Sequence, residues 1–208
     1  MINIRTKDEL LDKLRSYAIV PDEETIQYKE KIKNALFYCP ELLYAINNAE
    51  LESELFNEDG TLNVDENGEP LGEWDRYFGD NSNIRPFLFI PETQDEVRNF
   101  VCYQVEFEKL PNKRQKYTTI TFTILVNGDD SIDKSTGIPR HDLIASIIRE
   151  RFNWSNIFGM QTSLISNQES VTDNDYLVRT LIFQLVDTNG IATTNNGITN
   201  ITNYLYRK

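Results

Sequence analysis

The chain has 208 residues, 39% of them apolar and 26% charged, which is sufficient for one sizeable domain with a complete hydrophobic core. Its net charge of −12 argues against tight binding of nucleic acid, because phosphate contacts require clustered lysine and arginine. No apolar run approaches the roughly 18 residues of a membrane span, and the charged N-terminus lacks the apolar region of a signal peptide. We therefore expect a cytoplasmic compartment and no membrane partner.

The first 56 residues begin with the pattern of an amphipathic helix. Thr6 and Glu9 have the spacing of a capping box, in which each residue's side chain accepts a hydrogen bond from the other residue's backbone N–H. Leu10, Leu11 and Leu14 follow at helical spacing. The sequence therefore predicts a first helix that starts near Thr6.

Two more helices are predicted before residue 57. Pro21, followed by three acidic residues, is typical of a helix start. The apolar face predicted for this helix consists of Ile26, Ile32, Ala35, Leu36 and Cys39. Pro40 either ends it or begins a third helix, which has the apolar residues Leu42, Leu43, Ile46 and Ala49.

Residues 57–83 are rich in asparagine, glycine and acidic residues and predict a turn-rich excursion. We expect a short hairpin at Asn67-Gly68 and a return anchored by Trp74, Tyr77 and Phe78. Residues 50–80 hold eleven acidic side chains and one arginine, a net charge of −10, whereas the rest of the chain carries −2. The candidate channel-lining or docking residues are therefore Glu58, Asp59, Asp65, Glu66, Glu69, Glu73 and Asp75.

The stretch NVDENGEP, residues 63–70, looks like the first half of a calcium-binding EF-hand loop. Such a loop requires oxygen ligands at alternating positions and a bidentate glutamate at position 12. Counted from Asn63, position 12 is Trp74, and position 1 is a neutral amide. We therefore expect a solvated acidic hairpin without a cofactor, and a looser surface calcium site remains the open alternative.

From residue 84 the apolar pattern acquires a period of two, which is typical of strands. One face of the first long strand carries Val101, Tyr103, Val105 and Phe107, and one face of the next carries Ile120, Phe122, Ile124 and Val126. A helix is predicted from about Pro139, with an apolar stripe of Leu143, Ile144, Ile147, Ile148 and Phe152. Further strands are predicted at 160–166 and 175–187, the second inside the sheet because both of its faces are apolar.

These elements predict an α+β fold with N-terminal helices followed by a mostly antiparallel sheet, a long hairpin and one packed helix. We divide the chain into a helical segment (1–56), the acidic excursion (57–83), a core domain (84–190) and a polar C-terminal arm (191–208). In the arm, the candidate docking residues are Ile198, Ile201, Tyr204, Leu205 and Tyr206.

The loop of the long hairpin is basic. Its candidate inter-subunit contacts are Lys109, Lys113, Arg114 and Lys116. An ordinary solvated hairpin tip and a contact with DNA phosphate are the alternatives.

The sequence contains no recognisable catalytic motif, and we predict that the protein is not an enzyme. The single histidine, His141, adjoins Asp142, but neighbouring residues of a helix do not face each other, and we expect Asp142 to help cap the helix start. Cys39 and Cys102 are too far apart in sequence for a metal motif, and because we expect a cytoplasmic protein we expect both to be reduced, buried thiols. Phosphate-binding glycine loops and nucleophile elbows are absent from the sequence.

The order of elements carries a resemblance. An extended entry RPFLFIP, the hairpin VCYQVEFEKLPNKRQKYTTITFTILV, the helix RHDLIASIIRERF and the strand DYLVRTLIFQLVD follow one another. Over residues 84–190 this order resembles tail-terminator and neck (head-to-tail connector) proteins of tailed bacteriophages. The resemblance implies a homo-oligomeric ring in the virion, with portal, connector or tail proteins as neighbours and DNA passing through without sequence-specific binding. It implies no catalytic residues.

Three hypotheses about function remain open at this point. The first is the structural phage ring protein, which would be assembled in the host cytoplasm. The second is a soluble acidic adaptor or DNA mimic that docks a basic partner. The third is an enzyme whose type has no short motif, which would require a deep pocket with converging polar side chains.

Overall fold

The computed structural model describes residues 6–19, 24–47, 55–57, 59, 61–72, 74–78, 82–89, 98–109, 115–134, 136–172 and 174–188. In these ranges the helices α1 to α5 are Lys7–Ile19, Glu24–Phe37, Pro40–Asn47, Trp74–Phe78 and Arg140–Phe152. The strands β1 to β5 are Ile84–Arg85, Phe100–Lys109, Gln115–Asn127, Ser163–Val171 and Tyr176–Thr188. None of the described helices has the length and apolar character needed to cross a membrane.

The five strands form one sheet in the order β1-β2-β3-β5-β4. β1 runs parallel to β2, and the other pairs are antiparallel, so the predicted α+β fold with a mostly antiparallel sheet is confirmed. β5 lies between β3 and β4, which confirms its predicted interior position. Because Tyr103 pairs with Phe122 and Phe122 pairs with Leu181, the apolar positions of three strands align on one face.

That face packs against the helices. Phe122 lies at the centre, with ring centroids 4.8 Å from Phe152 of α5 and 5.8 Å from Phe183 of β5. Buried residues of α2, α3 and α5 belong to the same hydrophobic cluster as those of the sheet. α2 and α3 therefore share one core with the sheet, while the proposed division of the chain into segments stays a prediction.

The N-terminal helices agree with the sequence patterns in most respects. The capping box is confirmed, since Thr6 N donates to Glu9 Oε2 (3.2 Å) and Glu9 N donates to Thr6 Oγ1 (3.3 Å). Pro40 begins α3. The predicted burial of Ile26 is wrong, because the buried stripe of α2 passes through Tyr28 and places Ile26 about 200° away around the helix.

Two strand boundaries differ from the predictions. The predicted strand at 160–166 begins instead at Ser163, because residues 153–162 close a loop in which Trp154 N donates to Thr162 O (2.8 Å). Trp154 adopts a left-handed conformation in that loop, with a φ of 61°. Of the extended entry after residue 84, only Ile84–Arg85 is a strand among the described residues.

A buried polar network joins α3, α5 and the connection between β3 and α5. The guanidinium of Arg140 is fully buried and donates to Ala45 O (2.7 Å), Asp130 O (3.0 Å) and Asp130 Oδ1 (2.9 Å). Its Nη1 also lies 3.6 Å from Oδ1 of Asp133, which is fully buried. Asn99 Nδ2 donates to Ile46 O (2.9 Å) and Asp130 Oδ2 (2.8 Å). Carbonyls in the last turn of α3, which have no partner within their own helix, are satisfied in this way.

We expect Arg140→Met to lower the free energy of unfolding by about 3–5 kcal/mol, because it leaves the buried carboxylate of Asp133 without its cation. Urea denaturation followed by circular dichroism measures this loss. Arg15→Met is the matched control, since Arg15 forms an exposed ion pair with Asp12, and should change stability by less than about 0.5 kcal/mol. Equal stability of the two variants would contradict the structural role of the network.

Candidate functional site

The described residues between 55 and 72, here called the acidic hairpin, form two consecutive turns, each closed by an antiparallel bridge. Isolated bridges pair Phe56 with Leu62 and Val64 with Pro70. At the second turn, Asp65 N donates to Glu69 O (2.8 Å), and Gly68 has a φ of 83°, which only glycine adopts without strain. The hairpin predicted at Asn67-Gly68 is therefore confirmed.

Two of the candidate acidic residues are used to build these turns. The carboxylate of Asp65 accepts hydrogen bonds from Glu69 N (2.9 Å) and Asn67 N (2.8 Å), which lower its pKa. The carboxylate of Asp59 accepts from Thr61 Oγ1 (2.6 Å) and Thr61 N (2.9 Å), which lower the pKa of Asp59 as well. Both carboxylates thus stabilise the local backbone.

The remaining acidic candidates divide into exposed and undescribed residues. Glu66 and Glu69 project from the acidic hairpin as exposed side chains. Asp75 lies in α4, and Glu58 and Glu73 lie outside the described residues. Within the described ranges, no cluster of three or more acidic, histidine or cysteine side chains is placed to hold a metal ion.

An aromatic cluster fixes the acidic hairpin to the end of α2. Trp74 stacks on Phe37 with ring centroids 4.0 Å apart, and Phe56 meets Trp74 edge-on at 5.7 Å. Phe78 lies 5.4 Å from Phe37, and Trp74 Nε1 donates to Leu71 O (2.8 Å). The predicted anchoring by Trp74 and Phe78 is confirmed, and the acidic hairpin has a defined position on the body of the protein.

The basic hairpin differs from the prediction at one residue. Lys109 ends β2, but Lys116 lies within β3, is only 3% exposed, and holds Nζ 4.4 Å above the ring of Phe107. Lys116 is therefore not part of an exposed tip, because the strands continue past it and its alkyl stem packs against the neighbouring strand. Lys113 and Arg114 lie outside the described residues, as do the five arm residues Ile198, Ile201, Tyr204, Leu205 and Tyr206.

A charged cluster that the sequence patterns do not indicate lies where the start of α5 meets β4 and β5. Arg179 Nη1 is 3.0 Å from Glu169 Oε2 and 3.4 Å from Asp142 Oδ1. His141 is 5% exposed, with Nε2 3.3 Å from Glu169 Oε1 and 3.7 Å from Asp142 Oδ1. Asp142 lies in the first turn of α5, as expected, and the N-cap Pro139 makes no side-chain hydrogen bond, so a capping role for Asp142 stays a prediction. The ion pair of Arg179 with Asp142 and the contact of His141 with Glu169 join α5 to the strands.

Two surface concavities accompany these elements. A cavity of about 190 Å³ beside the charged cluster lies between α5 and β4 and is lined by Asp142, Ala145, Ser146, Arg149, Asn167 and Arg179. A groove of about 540 Å³ runs between α2 and the loop after α5, with Tyr38, Arg151 and Ile157 in its lining. Among the described residues lining the two concavities, Asp142 is the one carboxylate, and it lies 3.4 Å from Arg179 Nη1.

An exposed apolar surface lies on α1. Leu10, Leu11 and Leu14 share one side of the helix and are 48%, 38% and 63% exposed. A helix of 13 residues has marginal stability in water on its own, because helix nucleation is costly and stability comes mainly from packing an apolar face. This side of α1 therefore has the character of an association surface.

The fold and these surfaces define an acidic α+β protein with exposed surfaces suited to association. The YomW family model matches residues 30–185, from α2 into β5, and the chain belongs to the YomW family. This is a phage-derived family of Bacillus phage genes, so the protein is phage-associated, as the sequence resemblance implies. A comparison with curated proteins finds no match. The assignment to tail-terminator or neck proteins in particular stays a prediction.

The lowered pKa of Asp65 has a measurable consequence. A carboxylate whose pKa is lowered by folding stabilises its turn above the ordinary value of 3.8, and the stabilisation is lost as the pH falls through the lowered pKa. We expect the backbone amide NMR signals of Asn67 and Glu69 to titrate together with a midpoint below pH 3.8. Asp65→Asn should abolish this titration and Glu66→Gln should preserve it. A midpoint above 3.8 would show that the turn does not hold the carboxylate.

The two tryptophans provide a matched test of the aromatic cluster. Trp74→Ala should lower the free energy of unfolding by roughly 2–3 kcal/mol, because it removes the stack on Phe37 and the contact with Phe56. Trp154→Ala should change it by less than about 0.5 kcal/mol, because Trp154 is 64% exposed. Chemical denaturation of both variants measures the difference, and equal losses would contradict an anchoring role for Trp74.

Proposed function

We propose that this protein is a structural virion protein that forms a homo-oligomeric ring in the phage neck or at the tail end. The ring joins the capsid portal to the tail and surrounds the DNA channel, and its neighbours are portal, connector or tail proteins. It is assembled in the cytoplasm of the host bacterium. The proposal assigns it no catalytic activity and no cofactor.

The observation that carries the proposal is the uncovered leucine surface of α1. Burying three leucine side chains that are 38–63% exposed contributes roughly 1 kcal/mol for each, which favours a partner over solvent. Repeated around a ring, such a contact adds up to a stable assembly. Membership in a phage-derived family supports a virion as the place of that assembly.

The acidic balance supports a channel role. DNA that must slide through a ring is best surrounded by a surface that repels phosphate, and residues 50–80 carry a net charge of −10 in each copy. Exposed Glu66 and Glu69 stand on a hairpin whose position is fixed by the stack of Trp74 on Phe37, so their charges are held in a defined direction.

The alternative is a soluble acidic adaptor or DNA mimic that docks a basic partner. The same fixed, exposed carboxylates favour it, because a rigid array of negative charge resembles a phosphate backbone. Glu66→Gln with Glu69→Gln separates the two functions. The adaptor loses capture of a basic DNA-binding protein, whereas ring formation by the phage protein is retained.

We expect the full chain to assemble beyond the 24.2 kDa monomer and to show rings in negative-stain images. Leu10→Ala with Leu14→Ala should shift the mass measured by light scattering to that of the monomer, because the leucine contact is lost while alanine keeps the helix. Asp12→Ala with Arg15→Ala removes an exposed ion pair from another side of α1 and leaves the net charge unchanged.

This control variant should assemble like the unmodified chain. A chain that remains monomeric, both alone and with candidate neck proteins, would eliminate the ring. Assembly that survives the leucine substitutions would show that α1 is not the contact.

A further inference from the structure

The last strand of the sheet, β4, has an outer edge that is open among the described residues. Thr172 N donates to Tyr176 O (2.9 Å) and closes the hairpin between β4 and β5. In an antiparallel pair, backbone groups point alternately toward and away from the partner strand. Ser166, Gln168 and Ser170 therefore direct their backbone groups toward β5. The outward N–H and C=O groups belong to Asn167, Glu169 and Val171.

This edge lacks most of the features that protect sheet edges from pairing. Residues 166–171 contain no lysine or proline, and the carboxylate of Glu169 is engaged by Arg179. The β-bulge of β4 lies between Leu164 and Ser166, so it leaves the following six residues straight. Val171 is 65% exposed, and Asn167 to Val171 form an unbroken exposed run. Such an edge accepts an added strand through main-chain hydrogen bonds.

The segment of this chain best suited to the edge is residues 189–208, which follow β5. It has no charged residue before Arg207, and residues 198–206 are rich in isoleucine, threonine and tyrosine, which favour strands. Extended, twenty residues reach at most about 66 Å, several times the length of the six-residue edge. Residues 198–206 carry no charged side chain, so no charge repulsion with Glu169 opposes their pairing with β4.

The direction of the chain favours pairing between copies over pairing within one copy. β5 ends at Thr188, beyond Gln184, which pairs with Ser163 at the start of β4. From that point, the arm of the same chain would run along the edge parallel to β4. An arm from a second copy can run antiparallel, and antiparallel pairs are somewhat more stable for each residue.

We propose that residues 198–206 of one copy add to the outer edge of β4 of a second copy as an antiparallel strand. The inference rests on the proposed function, because it names the surfaces that link copies in the assembly. One arm and one edge are used at different places on each copy, so the contact is head-to-tail, and it closes a ring if its rotation divides the circle. It acts together with the α1 contact between the same two neighbouring copies, and the assembly requires both contacts.

The edge is tested with Asn167→Pro combined with Val171→Pro. Proline removes an outward N–H at each position and leaves the bonds to β5, a placement that edge strands tolerate. We expect the mass in light scattering to fall from that of the oligomer to the 24.2 kDa monomer. Asn167→Thr with Val171→Thr keeps both N–H groups and should retain the assembly. Far-ultraviolet circular dichroism checks that each variant is folded.

The arm is tested with Ile198→Asp combined with Ile201→Asp, which leaves β4 untouched. This variant should also be monomeric. A mixture of the edge variant with the arm variant retains one intact arm and one intact edge. It should therefore form a heterodimer of about twice the monomer mass, which neither variant forms alone.

The outcomes separate this inference from the proposed function. A full chain that never assembles overturns both. A full chain that assembles, with an arm variant that assembles equally well, overturns only the arm-to-edge contact. If the proline variant does not fold, the arm variant is mixed with the unmodified chain instead. Loss of large assemblies in that mixture supports the arm-to-edge contact, and unchanged assembly overturns it.

Discussion

Burial of one guanidinium group, that of Arg140, constrains how the helices and the sheet meet. A fully buried cation is tolerated only where its donors and its charge are satisfied. The partners come from the last turn of α3, through Ala45, and from the connection before α5, through Asp130 and Asp133. Asp133 in turn accepts from Thr136 N (2.9 Å). Segments 95 residues apart are therefore joined in one arrangement. Displacement of Asp130 or Asp133 would leave the buried guanidinium of Arg140 without a charged partner.

Much of the fold follows from the apolar periodicity of the sequence. Alternation with period two identifies the inner faces of β2 and β3, because successive side chains of a strand point to opposite sides. The sequence patterns place Lys116 at an exposed hairpin tip and give no reason to bury Arg140, although both side chains are buried. Their burial depends on partners distant in sequence, Ala45 for Arg140 and Phe107 for Lys116, and such partners become neighbours only in the folded chain. A pattern in one segment does not contain that information.

The acidic segment is evident from charge alone, but the use of each carboxylate is not. Asp65 is consumed by its own turn, while Glu66 faces solvent, and this distinction arises from backbone geometry. The pairing of Glu169 with Arg179 depends on the register of β4 and β5, which places these two residues directly opposite each other. Sequence reasoning therefore identifies the charged segments and misses the ion pairs that require a strand register.

The interior position of β5, between β3 and β4, constrains the order in which the molecule can form during synthesis on the ribosome. β3 is made early, yet the strand that pairs with it along its whole length is the last one of the described chain. A nascent chain that ends before Tyr176 has β3 as an edge strand with one long side unpaired, and it lacks Leu181 and Phe183 of the core, so its unpaired edge favours aggregation. The chain thus completes its core only after nearly all of its residues have been translated, which makes it a candidate for protection by chaperones until β5 emerges.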